Sequence, residues 1–147
     1  MHGIRTILLL LAITGFPATA AELVPGTNAE FRFVRLAYAP NQLAVYSRGG
    51  RAMWQTDMPD AEEHLLQGIS RLTHVAAARE PHVVTALAED LFDYPWIYAV
   101  EVGYWSLSAT EAARLREYLL RGGFLVVDDF HGTVEWAFLP RTVAARN

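Results

Sequence analysis

The fold is decided by residues 108–132, which read SATEAARLREYLLRGGFLVVDDFHG. Ser108 and Glu111 form a capping-box pattern, in which a serine at a helix start and a glutamate three residues later each accept a backbone hydrogen bond. The glycine pair at 122–123 is a typical helix stop, and the apolar run 124–127 follows at once. The segment therefore predicts a helix that leads directly into a buried strand, which is the repeating unit of an α/β fold.

The rest of the chain extends this pattern. The other predicted elements are a strand at 31–38, a long loop at 39–58, a helix at 61–73 capped by Asp60 and Glu63, a strand at 82–86, a turn at 90–95 and a strand at 96–100. Apolar residues at helical spacing predict which side chains face inward. They are Leu65, Leu66, Ile69 and Leu72 in the first helix and Ala112, Leu115, Tyr118 and Leu119 in the second. Strands that alternate with helices and are continuously apolar predict a parallel sheet covered on both faces. We therefore predict a three-layer, doubly wound α/β fold of the flavodoxin-like type.

Residues 1–20 have the three parts of a cleavable secretory signal. Arg5 supplies a basic start, residues 7–13 are apolar, and residues 17–20 end in the small side chains preferred at a cleavage site. The apolar run is shorter than the about 20 residues that a membrane-spanning helix needs. The alternative is a buried N-terminal helix. The sequence thus predicts an exported, periplasmic protein with no membrane span after cleavage. Its predicted parts are a signal peptide at 1–20, a linker at 21–30, one α/β domain at 31–136 and a divergent tail at 137–147.

Composition excludes several classes of function. The chain has a formal net charge of −4 and contains no cysteine. A negative charge disfavours nucleic acid as a partner, because phosphate binding needs a basic surface. Without cysteine there is no disulfide and no thiolate nucleophile. The sequence contains neither the Gly-x-Ser-x-Gly pattern of elbow-type hydrolases nor the glycine and lysine pattern of a phosphate loop. No cofactor is predicted.

Polar residues follow two predicted strands at their carboxyl ends, which is where open α/β sheets bind ligands. The candidate ligand-binding residues are Asp57, Glu101, Trp105, Asp128, Asp129 and His131. Asp128, Asp129 and His131 suit a hard metal, or acid–base chemistry if burial and repulsion raise the pKa of one carboxyl. The alternative is that Asp128 caps the following helix while the other two are solvated. No spacing typical of metal ligands is present, so no metal site is predicted.

Aromatic residues lie beside the carboxylate of Glu101. Tyr104 and Trp105 follow it in the chain, and Trp54 lies near the end of the long loop. Aromatic faces next to a carboxylate suit the binding of a sugar ring. The alternative is that these rings belong to the hydrophobic core, where large aromatic side chains are commonly buried.

Four segments together resemble one known family. They are 31–38 (FRFVRLAY), 54–62 (WQTDMPDAE), 93–98 (DYPWIY) and 122–132 (GGFLVVDDFHG). They resemble the bacterial domain of unknown function 4159 family, over residues 31 to about 136. The resemblance implies a class I glutamine amidotransferase-like, flavodoxin-like fold and an exported bacterial setting, but no established activity. Amidotransferases of this fold use a nucleophilic cysteine, so this chain cannot perform that chemistry. Relatives also continue beyond the matching segments, which predicts a truncated or frameshifted C-terminus here.

Three hypotheses for function follow, and the sequence does not settle whether the protein is an enzyme. The first is a non-catalytic module that binds an unknown small ligand or a periplasmic protein through the strand-end acids and aromatic residues. The second is a metal- or carboxylate-dependent hydrolase that uses Asp128, Asp129 and His131. The third is an inactive fragment.

Overall fold

The computed structural model describes residues 29–46, 51–129, 131–133 and 135–136. The predicted signal peptide at 1–20, most of the predicted linker and the predicted tail at 137–147 lie outside the described residues. Within the described part of the chain, no helix combines the length and the apolar character needed to cross a bilayer.

The described residues form six strands, two α-helices and four short 3-10 helices. The strands are β1 (Val34–Ala37), β2 (Ala39–Pro40), β3 (His82–Thr85), β4 (Trp96–Val100), β5 (Trp105–Ser106) and β6 (Phe124–Asp128). The α-helices are α1 (Asp60–Leu72) and α2 (Ala109–Leu120), and the 3-10 helices are Gln42–Tyr46, Met53–Gln55, Glu89–Asp93 and Val102–Tyr104.

Four parallel strands form the main sheet, in the order β3, β1, β4, β6. β4 and β6 pair along their full length, from Trp96 opposite Phe124 to Val100 opposite Asp128. β2 and β5 form a separate antiparallel pair. The predicted α/β class with a parallel sheet is therefore confirmed.

One face of the sheet packs against α2. Val34 and Leu36 of β1 join Ile97 of β4 and Leu115 and Tyr118 of α2 in a single buried cluster. The second helix begins where the sequence predicted, because the Ser108 hydroxyl accepts from the Glu111 backbone and the Glu111 carboxylate accepts from the Ser108 backbone. The predicted capping box is thus confirmed, and it sets the start of the helix that covers this face.

The opposite face of the sheet carries the side chain of Arg35. Because successive residues of a strand point to opposite faces, Arg35 lies on the face away from α2. Its guanidinium carbon is 5.1 Å from the centre of the Tyr98 ring. Its Nε donates to the carboxylate of Glu62 in α1, and its Nη1 donates to the carbonyls of Trp54 and Thr56, both at 3.0 Å. Arg35 and Glu62 are fully buried, so this ion pair attaches α1 and the segment before it to the sheet.

The first helix differs from the sequence prediction. It begins at Asp60 with Pro59 as its N-cap residue and without a side-chain cap hydrogen bond, so the predicted Asp60 cap is wrong. The predicted apolar stripe is also wrong in part, because Leu65 is exposed and Leu72 is 85% exposed. The physical reason is that α1 turns Glu62 toward the sheet to reach Arg35. That rotation leaves part of the leucine stripe outside.

Other boundaries also moved. The predicted strand at 31–38 is reduced to β1, and Phe31 instead forms an isolated bridge with Ala77. The described part of the predicted loop at 39–58 contains β2 and two 3-10 helices. Leu119 of α2 is 37% exposed rather than buried. Phe124 is exposed because β6 lies at an edge of the sheet in the described part of the chain.

The Arg35–Glu62 pair can be tested with a double-mutant cycle. Arg35→Met leaves the Glu62 carboxylate buried without a counter-charge, and Glu62→Leu does the same to the guanidinium. Each single change should lower the free energy of unfolding by about 3–5 kcal/mol. The double variant should be more stable than either single variant, because it buries no charge. Urea unfolding measures all four proteins, and additive losses would contradict the coupling.

Candidate functional site

The candidate site lies at the carboxyl ends of β4 and β6, which are neighbours in the sheet. The chain leaves β4 at Glu101 and β6 at Asp129. The Glu101 amide donates to the Asp128 carbonyl at 3.0 Å, so the two strand ends meet directly. The structure therefore brings Glu101, Asp128 and Asp129 to one edge of the sheet.

The backbone of Glu101 is held in a left-handed conformation, with φ at 53° and ψ at 42°. Its carbonyl accepts from the Tyr38 hydroxyl at 2.8 Å and from the Tyr104 amide at 3.0 Å. The Tyr38 hydroxyl also donates to the Val100 carbonyl at 2.7 Å. A left-handed glutamate is uncommon and needs such support. These hydrogen bonds fix where the Glu101 side chain leaves the sheet.

Asp128 positions its neighbours. One of its carboxylate oxygens accepts from the Tyr98 hydroxyl at 3.0 Å, and the other accepts from the Asp129 amide at 2.9 Å. Asp129 itself is left-handed, with φ at 48°. Through these two contacts the Asp128 carboxylate links β4 to the residue that follows β6.

His131 and Glu135 complete the cluster from the segment after β6. Gly132, Thr133, Glu135 and Trp136 have helical backbone, which places His131 and Glu135 one turn apart. The Glu135 carboxylate accepts from the His131 amide, and its Oε2 lies 3.9 Å from the His131 Nδ1 atom. The His131 side chain is 72% exposed, whereas that of Glu135 is 11% exposed.

Among the described residues, Glu101, His131 and Glu135 form a compact group of potential metal ligands. One ligand atom from each of the three lies within 4.8 Å of the other two. Carboxylate oxygens and an imidazole nitrogen are ligands for first-row divalent metals. In the described residues, no arginine forms an ion pair with any of these carboxylates. The group can therefore hold a cation.

The electrostatic field of this edge is negative. Burial raises the pKa of Glu101, and the carboxylates of Asp129 and Glu135 raise it further. His131 opposes this effect, and Asp57 adds a smaller contribution in the same direction as the other acids. A raised carboxyl pKa means that the ionised form is disfavoured at this place. A cation bound there would relieve the repulsion.

Asp57 reaches this edge from the segment that Arg35 anchors. It is exposed and left-handed, with φ at 55°. Its carbonyl accepts from the Ala61 amide at 2.8 Å, which links it to the first turn of α1. Asp57, Glu101 and Asp129 are the non-glycine residues with positive φ in the described part of the chain. All three are acids at one edge of the sheet.

The aromatic residues do not form an open platform. Trp105 is 2% exposed and makes an edge contact with the Tyr38 ring, so the structure places it in the hydrophobic core, which is the alternative that the sequence left open. Trp54 packs against the same core, and its carbonyl accepts a hydrogen bond from Arg35. Tyr104 is half-buried, and burial together with the nearby Glu135 carboxylate raises the pKa of its hydroxyl. Of the three aromatic residues named in the sugar-platform hypothesis, Trp105 is therefore buried and Trp54 and Tyr104 are partly buried.

Sequence reasoning missed Glu135. The available signal was the spacing of His131 and Glu135, four residues apart, which places both on one side of a helix. It also missed the role of Gly103. A Cβ atom at Gly103 would lie 2.5 Å from Cγ of Glu135, so this position must lack a side chain for Glu135 to reach the cluster.

A family model described as a domain of unknown function (DUF4159) matches residues 32–145. The chain belongs to this family. The match covers most of the region in which the four sequence segments indicated a resemblance. No curated protein matches the chain. The activity of this DUF4159 domain therefore has to be inferred from its site.

The close packing of Gly103 against Glu135 predicts a specific sensitivity in the DUF4159 domain. Gly103→Ala should lower the free energy of unfolding by about 1–3 kcal/mol, because the added methyl group displaces the Glu135 side chain. Gly68→Ala is the matched control, since a Cβ there meets no atom within 4 Å. Alanine in place of that helical glycine should stabilise by up to about 1 kcal/mol. Urea unfolding measures both, and a stable Gly103→Ala protein would refute the packing.

Repulsion at the acidic edge predicts a stabilising substitution. In metal-free buffer, Glu101→Gln should raise the melting temperature, with a gain in stability of up to about 1 kcal/mol. It removes a negative charge from beside Asp129 and Glu135 while keeping the side-chain shape. The gain should shrink in high salt, which screens partly exposed charges. Glu80→Gln, at an exposed position outside the cluster, should change neither the melting temperature nor its dependence on salt. Equal effects of the two substitutions would contradict a local repulsion.

Proposed function

We propose that this DUF4159 domain is a non-catalytic binding module whose ligand site is the acidic edge formed by Glu101, Asp129, His131 and Glu135, with Asp57 beside it. The observation that carries the proposal is the convergence of these side chains at two neighbouring strand ends, where no arginine among the described residues neutralises them. A site of this charge selects a cationic ligand or a ligand rich in hydrogen-bond donors.

The strand order supports the position of Glu101, the member of this site that follows β4. Numbered along the chain, the four parallel strands lie in the order second, first, third, fourth, which are the first four places of the flavodoxin-like order. In such sheets the ligand binds where the order reverses, between the first and third strands. Here that place lies between β1 and β4, where the Tyr38 hydroxyl donates to the Glu101 carbonyl.

The contacts of the two helices support the wider fold proposal. α2 packs on one face of the sheet through Leu115 and Tyr118, and α1 meets the other face through Glu62. We therefore retain a three-layer, doubly wound, amidotransferase-like scaffold as the proposed fold. The signal-like residues 1–20 support export, and we propose a periplasmic setting for the binding module.

A second depression competes with the acidic edge for the role of ligand site. A groove of about 480 Å³ lies between α1 and residues 77–81, lined in part by Glu62, Leu66 and Arg79. It lies away from the carboxyl ends of β4 and β6. We favour the acidic edge because it unites titratable side chains at the strand ends, whereas the groove has an apolar and mixed-charge lining.

Amide NMR spectra of the purified protein test the proposal. Four probes are added separately: zinc chloride, calcium chloride, spermidine and glucosamine. At least one should shift the amides of Gly103 and Asp129 in a saturable manner. The Glu101→Gln/Asp129→Asn variant should lose that response, and Glu63→Gln/Glu80→Gln should keep it. No response to any probe, or shifts confined to the groove beside α1, would overturn the proposed site.

An activity assay tests the proposal that the domain is non-catalytic. The protein should show no turnover of nitrophenyl esters, phosphates or glycosides above the level of an Asp128→Asn/Asp129→Asn variant. A hydrolytic rate that disappears in that variant would replace the binding module with the hydrolase hypothesis. The Asp128 carboxylate also accepts hydrogen bonds from the Tyr98 hydroxyl and the Asp129 amide. The fold of the variant must therefore be checked before its rate is used as the reference.

A further inference from the structure

We propose that Glu101, His131 and Glu135 bind one divalent first-row transition-metal ion, with Zn²⁺ as the matching example. This inference rests on the proposed function, because it names the chemical class of the ligand at the same edge. It differs from the sequence-based hypothesis of a hard metal at Asp128, Asp129 and His131. Of those three residues, only His131 belongs to the compact group.

The distances fit a site that closes around an ion. Zinc binds nitrogen and oxygen ligands at about 2.0–2.2 Å with tetrahedral geometry, so neighbouring ligand atoms lie about 3.4 Å apart. The His131 Nδ1 and Glu135 Oε2 atoms are 3.9 Å apart, and all three ligand atoms lie within 4.8 Å of one another. The exposed His131 side chain has the freedom to close the remaining gap. Three protein ligands leave a fourth position open for water or a bound molecule.

The two buried acids of the described chain show why a cation is needed. Glu62 and Glu135 are both buried. Glu62 pairs with the guanidinium of Arg35, whereas the ionisable side chains in contact with Glu135 are His131, at 3.9 Å, and Tyr104. Buried carboxylates in proteins are either paired with a cation or coordinate a metal. A divalent ion supplies for Glu135 and Glu101 the positive charge that Arg35 supplies for Glu62.

The packing around Glu135 holds its side chain in a defined position. Gly103 provides the space for the Glu135 stem, since any Cβ there would overlap it. Asn41 holds this glycine from the other side, because its Nδ2 donates to the Gly103 carbonyl at 2.8 Å. The Tyr104 hydroxyl lies near the Glu135 carboxylate, which contributes to the raised pKa of that hydroxyl. Secondary contacts of this kind orient metal ligands in proteins.

The ligand set selects the class of ion. An imidazole favours zinc, copper, iron and nickel over calcium and magnesium. Calcium takes six to eight oxygen ligands, more than two carboxylates supply. A single histidine with two glutamates therefore indicates a borderline transition metal over an alkaline-earth ion.

Calorimetry with zinc chloride tests the site on the untagged full chain after removal of metals with a chelator. An affinity tag must be absent because its histidines would bind zinc. We expect one zinc ion per chain. His131→Gln, Glu101→Gln and Glu135→Gln should each weaken binding by about tenfold or more, because the loss of a direct ligand costs at least as much as the loss of a residue that only orients one. The matched controls His64→Gln and Glu80→Gln, both exposed and outside the cluster, should bind as the wild type does.

Cobalt(II) provides a second readout, because a four-coordinate bound ion absorbs visible light much more strongly than the hydrated ion does. The absorption should disappear in His131→Gln, whose exposed side chain makes that variant safe for folding. If Glu135→Gln does not fold, His131→Gln and Glu101→Gln decide the question. Absence of zinc binding by the wild type, or unchanged affinity in His131→Gln, overturns the metal site. If zinc does not bind while calcium or spermidine still shifts the Gly103 and Asp129 amides, the transition-metal assignment is wrong but the proposed binding site stands.

If no probe shifts these amides, the proposed binding function is wrong as well.

Discussion

Burial of Arg35 is the constraint on which the rest of the structure depends. β1 lies between β3 and β4, so a guanidinium on its face is removed from water, which costs several kcal/mol unless the charge is satisfied. Glu62 supplies the opposite charge and thereby sets the rotation of α1. The carbonyls of Trp54 and Thr56 accept two further hydrogen bonds from the Arg35 guanidinium. These bonds hold the segment that leads to Asp57 at the carboxyl edge. A charge placed inside the sheet thus organises one wall of the candidate site.

The same interaction explains where sequence reasoning succeeded and where it failed in the fold. α2 is predictable because its start and stop are local: the capping box at Ser108 and the left-handed Gly122 need no distant partner. α1 is not predictable to the same extent, since its buried face is chosen by Arg35, which lies 27 residues away from Glu62 in the chain. A hydrophobic pattern alone therefore favoured leucines that the ion pair turns outward, Leu72 among them.

The site was predictable to the extent that topology alone determines it. Parallel neighbours end at the same edge, and this rule placed Glu101 beside Asp128 without any knowledge of side-chain contacts. Glu135 was missed because its segment has a short helical pattern and its burial depends on Gly103, which follows a different strand. For Trp105 the sequence left a ligand-site position and a core position open. Its position after a strand resembles that of a ligand-site residue, but β5 folds back against the core.

The geometry of the edge is costly for the folded protein in the absence of a ligand. Glu101 and Asp129 adopt backbone conformations that side chains disfavour, and the pKa of Glu101 is raised because burial and its acidic neighbours oppose its ionisation. Glu62 shows that this fold can neutralise a buried acid with an arginine when only stability is at stake. The acids at the edge are neutralised by no arginine among the described residues, which leaves their charge available to a ligand. Proteins retain strained and repulsive arrangements mainly where binding offsets their cost, and that balance is the physical reason to look for the function of this domain at the ends of β4 and β6.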